Sequence, residues 1–372
     1  MTSLFRERGG LKCLCGKIEL YCNIGIKHLI KNNNNNNNNK HIYLTMILIA
    51  LTKEDFEEVA KTTLGWPSRR KWESKAKDDR FCSCFGAKSD VIATIWNRIL
   101  PAVILDHDRE NGFSSAARNH LLWALVLIKV YSTEEIHCSI VGWPHRETFR
   151  KWSWYFVKKI AGLKGEVIKL ENRFKGLGAT TAQNCFLSID GTECHIHEPW
   201  HFDGKWFSQK FNGPVVLYKV GICIQTRNIC CVNGPHIRSA NDGAVFKETL
   251  APLLADEEGV EVDSGYLGNS KCKLPHMGLN SKARKQKSLV RARHENVNGK
   301  MKIFNVLDAH FRHMNPGTGV VGTNNKVKKM MEKHGYCSHA IAVITQLKFE
   351  AGEELFESEY DVVIGLFYKG QD

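Results

Sequence analysis

The pattern of apolar and polar positions divides the chain into a helical first half and a strand-rich second half. From Thr52 the apolar residues Phe56, Val59 and Ala60 recur at helical spacing. Thr52 is placed to cap, Glu54 and Asp55 fall in the first turn, and Gly65 with Pro67 marks the end. Helical groups follow over about 91–100 and 114–130, and the second is apolar all round, which predicts burial. Ser132 and Glu135 have capping-box spacing and predict a short helix to about Ile140. Gly142 and Pro144 break it, and a longer helix is expected from His145 to about Ile160. Short helix, tight turn and longer helix form the helix-turn-helix layout. In the second of these helices Phe149, Trp152, Phe156 and Ile160 line one face, with Arg146, Arg150, Lys151 and Lys158 largely away from it. Such a basic face suits a major groove; the plainer alternative is a solvated face on an ordinary helical hairpin.

Beyond Lys175 the period changes to that of strands. Cys185 to Ile189 is a short apolar run ending at Asp190-Gly191, and Val215 to Gln225 and Ile229 to Val232 flank a turn at Arg227-Asn228. A helix over about 244–254, a short strand Val260 to Val262 and the tetrapeptide Asp263-Ser264-Gly265-Tyr266 come next. A polar, basic loop then leads to a helix around Leu289 to Phe304. There Val290, His294, Val297, Met301 and Phe304 make the expected buried stripe, with Arg291, Glu295, Asn298 and Lys302 along its edge. The expected fold class is therefore α/β of the α+β kind, a mixed sheet preceded by a helix-turn-helix-type region. Three divisions are expected: 1–50, low in complexity and disordered, with its uninterrupted run Asn32 to Asn39; 51–165, helical and DNA-binding; and 176–372, catalytic.

Composition changes this picture in two ways. A formal net charge of +13 favours polyanionic partners, nucleic acid first among them. The thirteen cysteines include no CxxC pair and fall largely in apolar runs, which fits buried reduced thiols better than a disulfide scaffold or a zinc site. No secretory signature opens the sequence, and the apolar stretches near 43–51 and 121–130 are shorter than the ~20 residues needed to cross a bilayer. No membrane association is expected.

The candidate chemistry rests on Asp190, Asp263 and Glu295. Cutting a phosphodiester requires an activated oxygen nucleophile and charge neutralisation at both attacking and leaving oxygens, which two divalent ions about 4 Å apart supply. Magnesium is held by carboxylates in an octahedral shell that keeps several waters, so acids from separate elements must converge. Asp190 is expected at the end of the first strand, Asp263 at the end of the fourth, and Glu295 at the edge of the following helix.

These residues carry a family resemblance. Ser188-Ile189-Asp190-Gly191-Thr192, Asp263-Ser264-Gly265-Tyr266 and Arg293-His294-Glu295 resemble the three signature blocks of DDE superfamily endonucleases, closest to Harbinger-type transposases. The resemblance spans about residues 185–310. It implies a ribonuclease H-like fold, two Mg2+ or Mn2+ ions, nuclear location, and cutting plus strand transfer at the terminal inverted repeats of double-stranded DNA. It also allows a homo-oligomer on DNA and a separate DNA-binding accessory protein. Asn233-Gly234-Pro235 and Asn241-Asp242 stand where the family has a glycine-proline turn and a His-Asp pair. Asn241 replaces the histidine and Val262 the usual glycine, so Asp242 is given no role beyond supporting the site.

Lys282, Arg284, Lys285, Lys287, Arg291 and Arg293 form the densest basic run, read as a grip on DNA phosphates or as a nuclear-import signal. Gly317, Gly319 and Gly322 spell GxGxxG without a strand before them. His195 and His197 read as alternation on a strand, and Glu350, Glu353, Glu354, Glu357 and Glu359 as a solvated acidic segment. The expectation from sequence is a DDE-type transposase, the alternative a domesticated DNA-binding protein that keeps the fold without transposition.

Overall fold

Thr52 caps the first helix as its spacing predicts: its hydroxyl accepts from the Asp55 N–H while the Asp55 carboxylate takes the Thr52 N–H, and Gly65 closes the far end in the left-handed region at φ 61°. This helix, α1 (Lys53–Leu64), opens a computed structural model that describes residues 50–65, 74–109, 118–175, 184–198, 203–226, 228–266, 268–273, 281–312 and 324–354. The asparagine run and the three glycines at 317, 319 and 322 lie outside the described residues, as do Glu357 and Glu359. The chain groups into two units, 1–51 with 96–116 and 52–95 with 117–372. Apart from residues 96–109, every feature below belongs to the second.

After α2 (Ser74–Phe85) and α3 (Ser89–Arg109) comes α4 (Arg118–Val130), in which every residue from His120 to Ile128 is buried. The all-round apolar pattern is thus met by burial on all sides. Next are α5 (Glu134–Ile140), α6 (Arg146–Gly162) and the single turn α7 (Lys164–Val167). The cap of α5 is Thr133, one residue later than expected: its side chain accepts from the Ile136 N–H, while the Ser132 N–H donates to His137 Nε2 at 2.9 Å. Phe149, Trp152, Phe156 and Ile160 form the buried face of α6, as their spacing predicts.

Among the described residues the sheet has six strands: β1 (Cys185–His195), β2 (Phe207–Ser208), β3 (Gly213–Cys223), β4 (Ile229–Ile237), β5 (Gly259–Glu261) and β6 (Cys272–Lys273). Their order is β2-β3-β1-β5-β6, and β4 also pairs with β3. β3 runs antiparallel to β1, β2 and β4, whereas β5 runs parallel to β1 and β6. The result is a mixed sheet in an α+β chain, with β1 extending six residues past Ile189, where the short apolar run had suggested its end.

Strand alternation sends β1 residues to two faces. Leu187 and Ile189 join Cys223, Cys230 and Val260 under Phe246 of α8 (Asp242–Thr249) and Leu250 that follows it. Ser188, between them, faces α9 (Ser281–Lys302). α9 starts well before the expected Leu289, so the last residues of the anticipated basic loop are helical. A buried ion pair locks the sheet's approach: Arg173 Nε and Nη2 donate to the two Glu258 oxygens at 2.6 and 3.0 Å.

After the single turn α10 (Asn305–Asp308), α11 (Asn324–Glu350) is the longest described helix, unexpected from the sequence. His334 on it meets Tyr218 Oη at 2.6 Å, and Gln346 Oε1 accepts the Ile229 N–H at 2.8 Å. α11 packs against both β4 and α6, so it joins the helical region to the sheet. Gly335 permits this approach, since a Cβ there would stand 3.1 Å from Pro235 Cδ. No described helix is long and apolar enough to cross a membrane.

Candidate functional site

The parallel register of β1 and β5 positions two of the acids. Leu187 lies opposite Val260 and Ser188 opposite Glu261; continued two residues, the same register sets Asp190 level with Asp263. Asp190 does not end its own strand, which continues to His195. It stands instead where the neighbouring strand has just ended, because β5 stops at Glu261 and leaves the edge of β1 open beside Asp190. Each aspartate is oriented by a nearby amide: the Gly191 N–H donates to Asp190 Oδ1 at 2.7 Å, and the Gly265 N–H to Asp263 Oδ1 at 3.0 Å.

The glutamate comes from α9, whose buried stripe is the expected one: Val290, His294, Val297, Met301 and Phe304. Asn298, expected on the edge stripe, is also buried, so the edge is narrower than the spacing implied. His294 Nε2 and Ser188 Oγ are 3.0 Å apart, both buried. That contact fastens the residue before Glu295 to the residue two before Asp190. Val290 packs with Cys185 and Ile224 one turn earlier, which fixes the same helix face against the sheet.

Asp190 registers the other two acids electrostatically. Burial pushes its carboxyl above the ordinary aspartate range and the charges of Asp263 and Glu295 push it further, against the Gly191 amide and the Lys219 ammonium. Asp263 is partly buried and Glu295 exposed. Among the described residues no three His, Cys, Asp or Glu side chains converge closely enough to form a ready-made metal-ligand set. The trio therefore shares a field without sharing a contact point. Two bare carboxylates about 4 Å apart would repel by roughly 1–4 kcal/mol, depending on the effective dielectric. Oxygen donors alone, with one acid open to solvent, suit a hard divalent cation that keeps part of its water.

Two further residues complete the site. Asp242, first residue of α8, accepts from Lys219 Nζ through Oδ1 at 2.5 Å. A Cβ on Gly265 would meet Asp242 Oδ2 at 3.0 Å and Asp263 Oδ1 at 3.2 Å, so the two oxygens are no farther apart than those radii laid end to end. Lys219 is buried, with its ammonium 5.2 Å from the centroid of the Tyr266 ring. Burial holds the Tyr266 hydroxyl far above its usual range, and Asp242, Asp263 and Asp190 add to that. Beneath them lies a cavity of about 290 Å³ whose lining includes Ile189, Lys219, Cys231, Phe246 and Tyr266. The sequence carried a signal for Lys219: it is the lone charge in the apolar run from Val215 to Ile224.

The expected DNA contacts are placed less uniformly. Arg146 pairs with Glu135, and Arg150 takes both oxygens of Glu134 at 2.6 and 2.5 Å. Lys151 is exposed, its ammonium 5.5 Å from the Trp152 ring. Arg291 is exposed too. Arg293 is not available as a phosphate contact: it is buried and Nη1 donates to the carbonyls of Ile224 at 2.6 Å and Thr226 at 3.3 Å, strapping α9 to the end of β3. Lys282, Arg284, Lys285 and Lys287 sit in the first turns of α9, and their side chains lie outside the described residues. The acidic segment is also corrected in part, because Glu353 pairs with Lys300 at 2.5 Å and Lys348 at 3.2 Å. His195 ends β1 and His197 is exposed just beyond it; their rings lie 5.0 and 5.8 Å from that of His310. Comparison with protein-family models, with curated proteins and with solved structures returned no match.

Proposed function

We propose that the chain is a DDE-type transposase, a nuclear enzyme that cuts double-stranded DNA at terminal inverted repeats and joins the freed ends, with Asp190, Asp263 and Glu295 holding two Mg2+ or Mn2+ ions. The observation that carries this reading is the placement of the three acids: Asp190 on β1, Asp263 two residues past the end of the parallel neighbour β5, and Glu295 on the helix tied to β1 by the His294–Ser188 contact. The mixed sheet, three antiparallel strands followed by two parallel ones with α8 crossing between β4 and β5, supports a ribonuclease H-like catalytic domain. α5 and α6 support a helix-turn-helix-type element upstream of it.

Bound at such a site, divalent ions would activate the attacking oxygen and neutralise charge on the leaving one. The chain's own contribution is positional. The Gly191 and Gly265 amides fix the direction of the two aspartates, and the Ser188–His294 contact sets how far Glu295 stands from them. Arg291, exposed and one helical turn before Glu295 on α9, would bring positive charge beside that acid, where a DNA backbone would approach.

The reading is tested by incubating the full chain with duplex DNA bearing its element's ends, in Mg2+ and in EDTA. Cutting is expected only with the metal, and Asp190→Asn should abolish it. Cutting that survives the substitution would reject the site. Salt-sensitive DNA binding without cutting in any divalent metal would favour the domesticated alternative.

A further inference from the structure

Three aspartates, Asp190, Asp242 and Asp263, lie around Tyr266 at the open edge of the sheet, yet Asp242 differs from the other two. Asp242 carries a buried ammonium at 2.5 Å; among the described residues Asp190 and Asp263 are held chiefly by backbone amides, at 2.7 and 3.0 Å. Lys219 reaches Asp242 because of where its strand runs. It lies opposite Gly191 in the β1–β3 ladder, on the face that carries α8, and its ammonium occupies space beside that glycine, 3.1 Å from where a Cβ would be. The ammonium is bounded on the other side by the Tyr266 ring, which offers its electron-rich face at 5.2 Å. A lysine with 8% of its side chain exposed needs such compensation, since an unpaired buried charge is strongly destabilising.

We propose that Lys219 is a built-in cation that neutralises Asp242, so that the cluster stays assembled without a metal and only Asp190, Asp263 and Glu295 remain to bind a divalent ion. The proposal rests on reading those three acids as a metal site. It makes Lys219 a positioning residue. Asp242 starts α8, and the ammonium that bonds it anchors the start of that helix to β3. The same positive charge opposes cation entry, which keeps the affinity of the site below what four free carboxylates would give. Lys219 also borders the cavity beneath the site, so its side chain has space on that side.

The test uses the full chain and three variants, Lys219→Met, Asp242→Asn and the double variant, with two readouts. Methionine keeps the length and apolar stem of lysine, and asparagine the shape of aspartate. In EDTA, Lys219→Met should melt several degrees below the parent, and adding Asp242→Asn should recover much of the loss, because the stranded carboxylate is what destabilises. In a Mn2+ titration followed by the spectrum of the free ion, Lys219→Met should bind on the order of tenfold tighter than the parent, with Asp242→Asn cancelling the gain. A merely structural lysine would not produce that cancellation. Melting equal to the parent in EDTA, or a loss that Asp242→Asn does not reduce, overturns the proposal, as does Mn2+ affinity left unchanged or weakened. If melting follows the expected pattern while neither parent nor variant takes up Mn2+, the ammonium–carboxylate pairing stands and the metal reading of the trio fails.

Discussion

The acid cluster and the α5–α6 pair treat charge in opposite ways. At the end of β5 Asp190 stands in the field of Asp263 and Glu295, and the buried ammonium of Lys219 beside them is committed to a fourth acid. On α6 the two arginines expected to meet DNA are already paired with Glu134 and Glu135 from the preceding helix. Like charges held together by a fold raise its free energy and persist where a ligand of opposite sign relieves them. Opposite charges at a surface cost nothing to keep and signify little, since exposed pairs contribute about 0–1 kcal/mol. The cluster is therefore the stronger pointer to function, although the helix pair carries the more familiar motif.

Removing one acid is the strongest way to break this comparison. Glu295→Gln keeps the size and the helix but removes one charge from the trio. Losing an outer-shell partner of a metal typically costs about 10–100-fold, so if Glu295 is a direct ligand, as proposed, its loss should lower metal-dependent cutting by more than about 100-fold. Arg150→Ala, at the other region, should leave the cutting of a bound substrate nearly intact. Single-turnover rates at saturating DNA separate the two, and equal losses would erase the distinction.

The next effect acts on the tie between helix and sheet. His294→Ala removes a fully buried ring and its contact with Ser188. A cavity and a lost hydrogen bond together should cost about 2–4 kcal/mol in stability, read by urea unfolding. His294→Asn, which keeps a donor at similar reach, should recover part of the cutting rate if the bond positions Glu295. Equal stability in parent and alanine variant would show that α9 is held by its apolar stripe alone.

What the sequence disclosed follows the same division. Local rules worked where the deciding interaction is local: Thr52 with Asp55, the buried stripe of α9 and the apolar face of α6 all came from spacing. The extent of β1 did not, because past Ile189 the strand is kept by pairing with β3 rather than by an apolar run. α11 escaped notice because its first turns are basic and glycine interrupts it at 335, while its burial is supplied by partners far away in the chain, Tyr218 and the Ile229 amide among them. Arg293 was misread for a related reason. A basic run looks uniform in sequence, but helical rotation turned that arginine inward to two carbonyls. The acids were legible as candidates, one by one; their common register belonged to a strand pairing that no local pattern encodes.

Acid should separate the regions in another way. Burial holds His120 and His137 of the helical region down at about 4, with Arg312 adding to the effect at His137, and burial holds His334 on α11 at about 3. These histidines are neutral when folded and take up protons in the unfolded chain near 6.5. Since the folded values are depressed, their contribution is whole above about 6.5 and declines as pH falls through the window down to about 4, or about 3 for His334. Each group unprotonated in the fold and protonated outside it costs about 1.4 kcal/mol per pH unit. Melting temperature should hold steady above pH 7 and drop steeply between pH 6 and 4, and His120→Phe should flatten that drop by about one proton's share. An unchanged slope in that variant would mean His120 protonates in the folded state.

The smallest effect decides whether the arginines on α6 serve DNA at all. Glu134→Gln with Glu135→Gln would free Arg150 and Arg146 from their present partners and should change stability by no more than about 1 kcal/mol per pair. If the basic face docks on phosphates, the freed guanidiniums should strengthen binding at low salt and steepen the fall of log affinity with log salt, by up to about one phosphate contact for each arginine released. Arg146→Ala with Arg150→Ala should shift the slope the other way. A slope unmoved by either pair would mean that the two arginines hold α5 against α6 and that the positive charge meeting DNA lies elsewhere, with Lys151 on α6 and Arg291 beside the acids the exposed alternatives to test next.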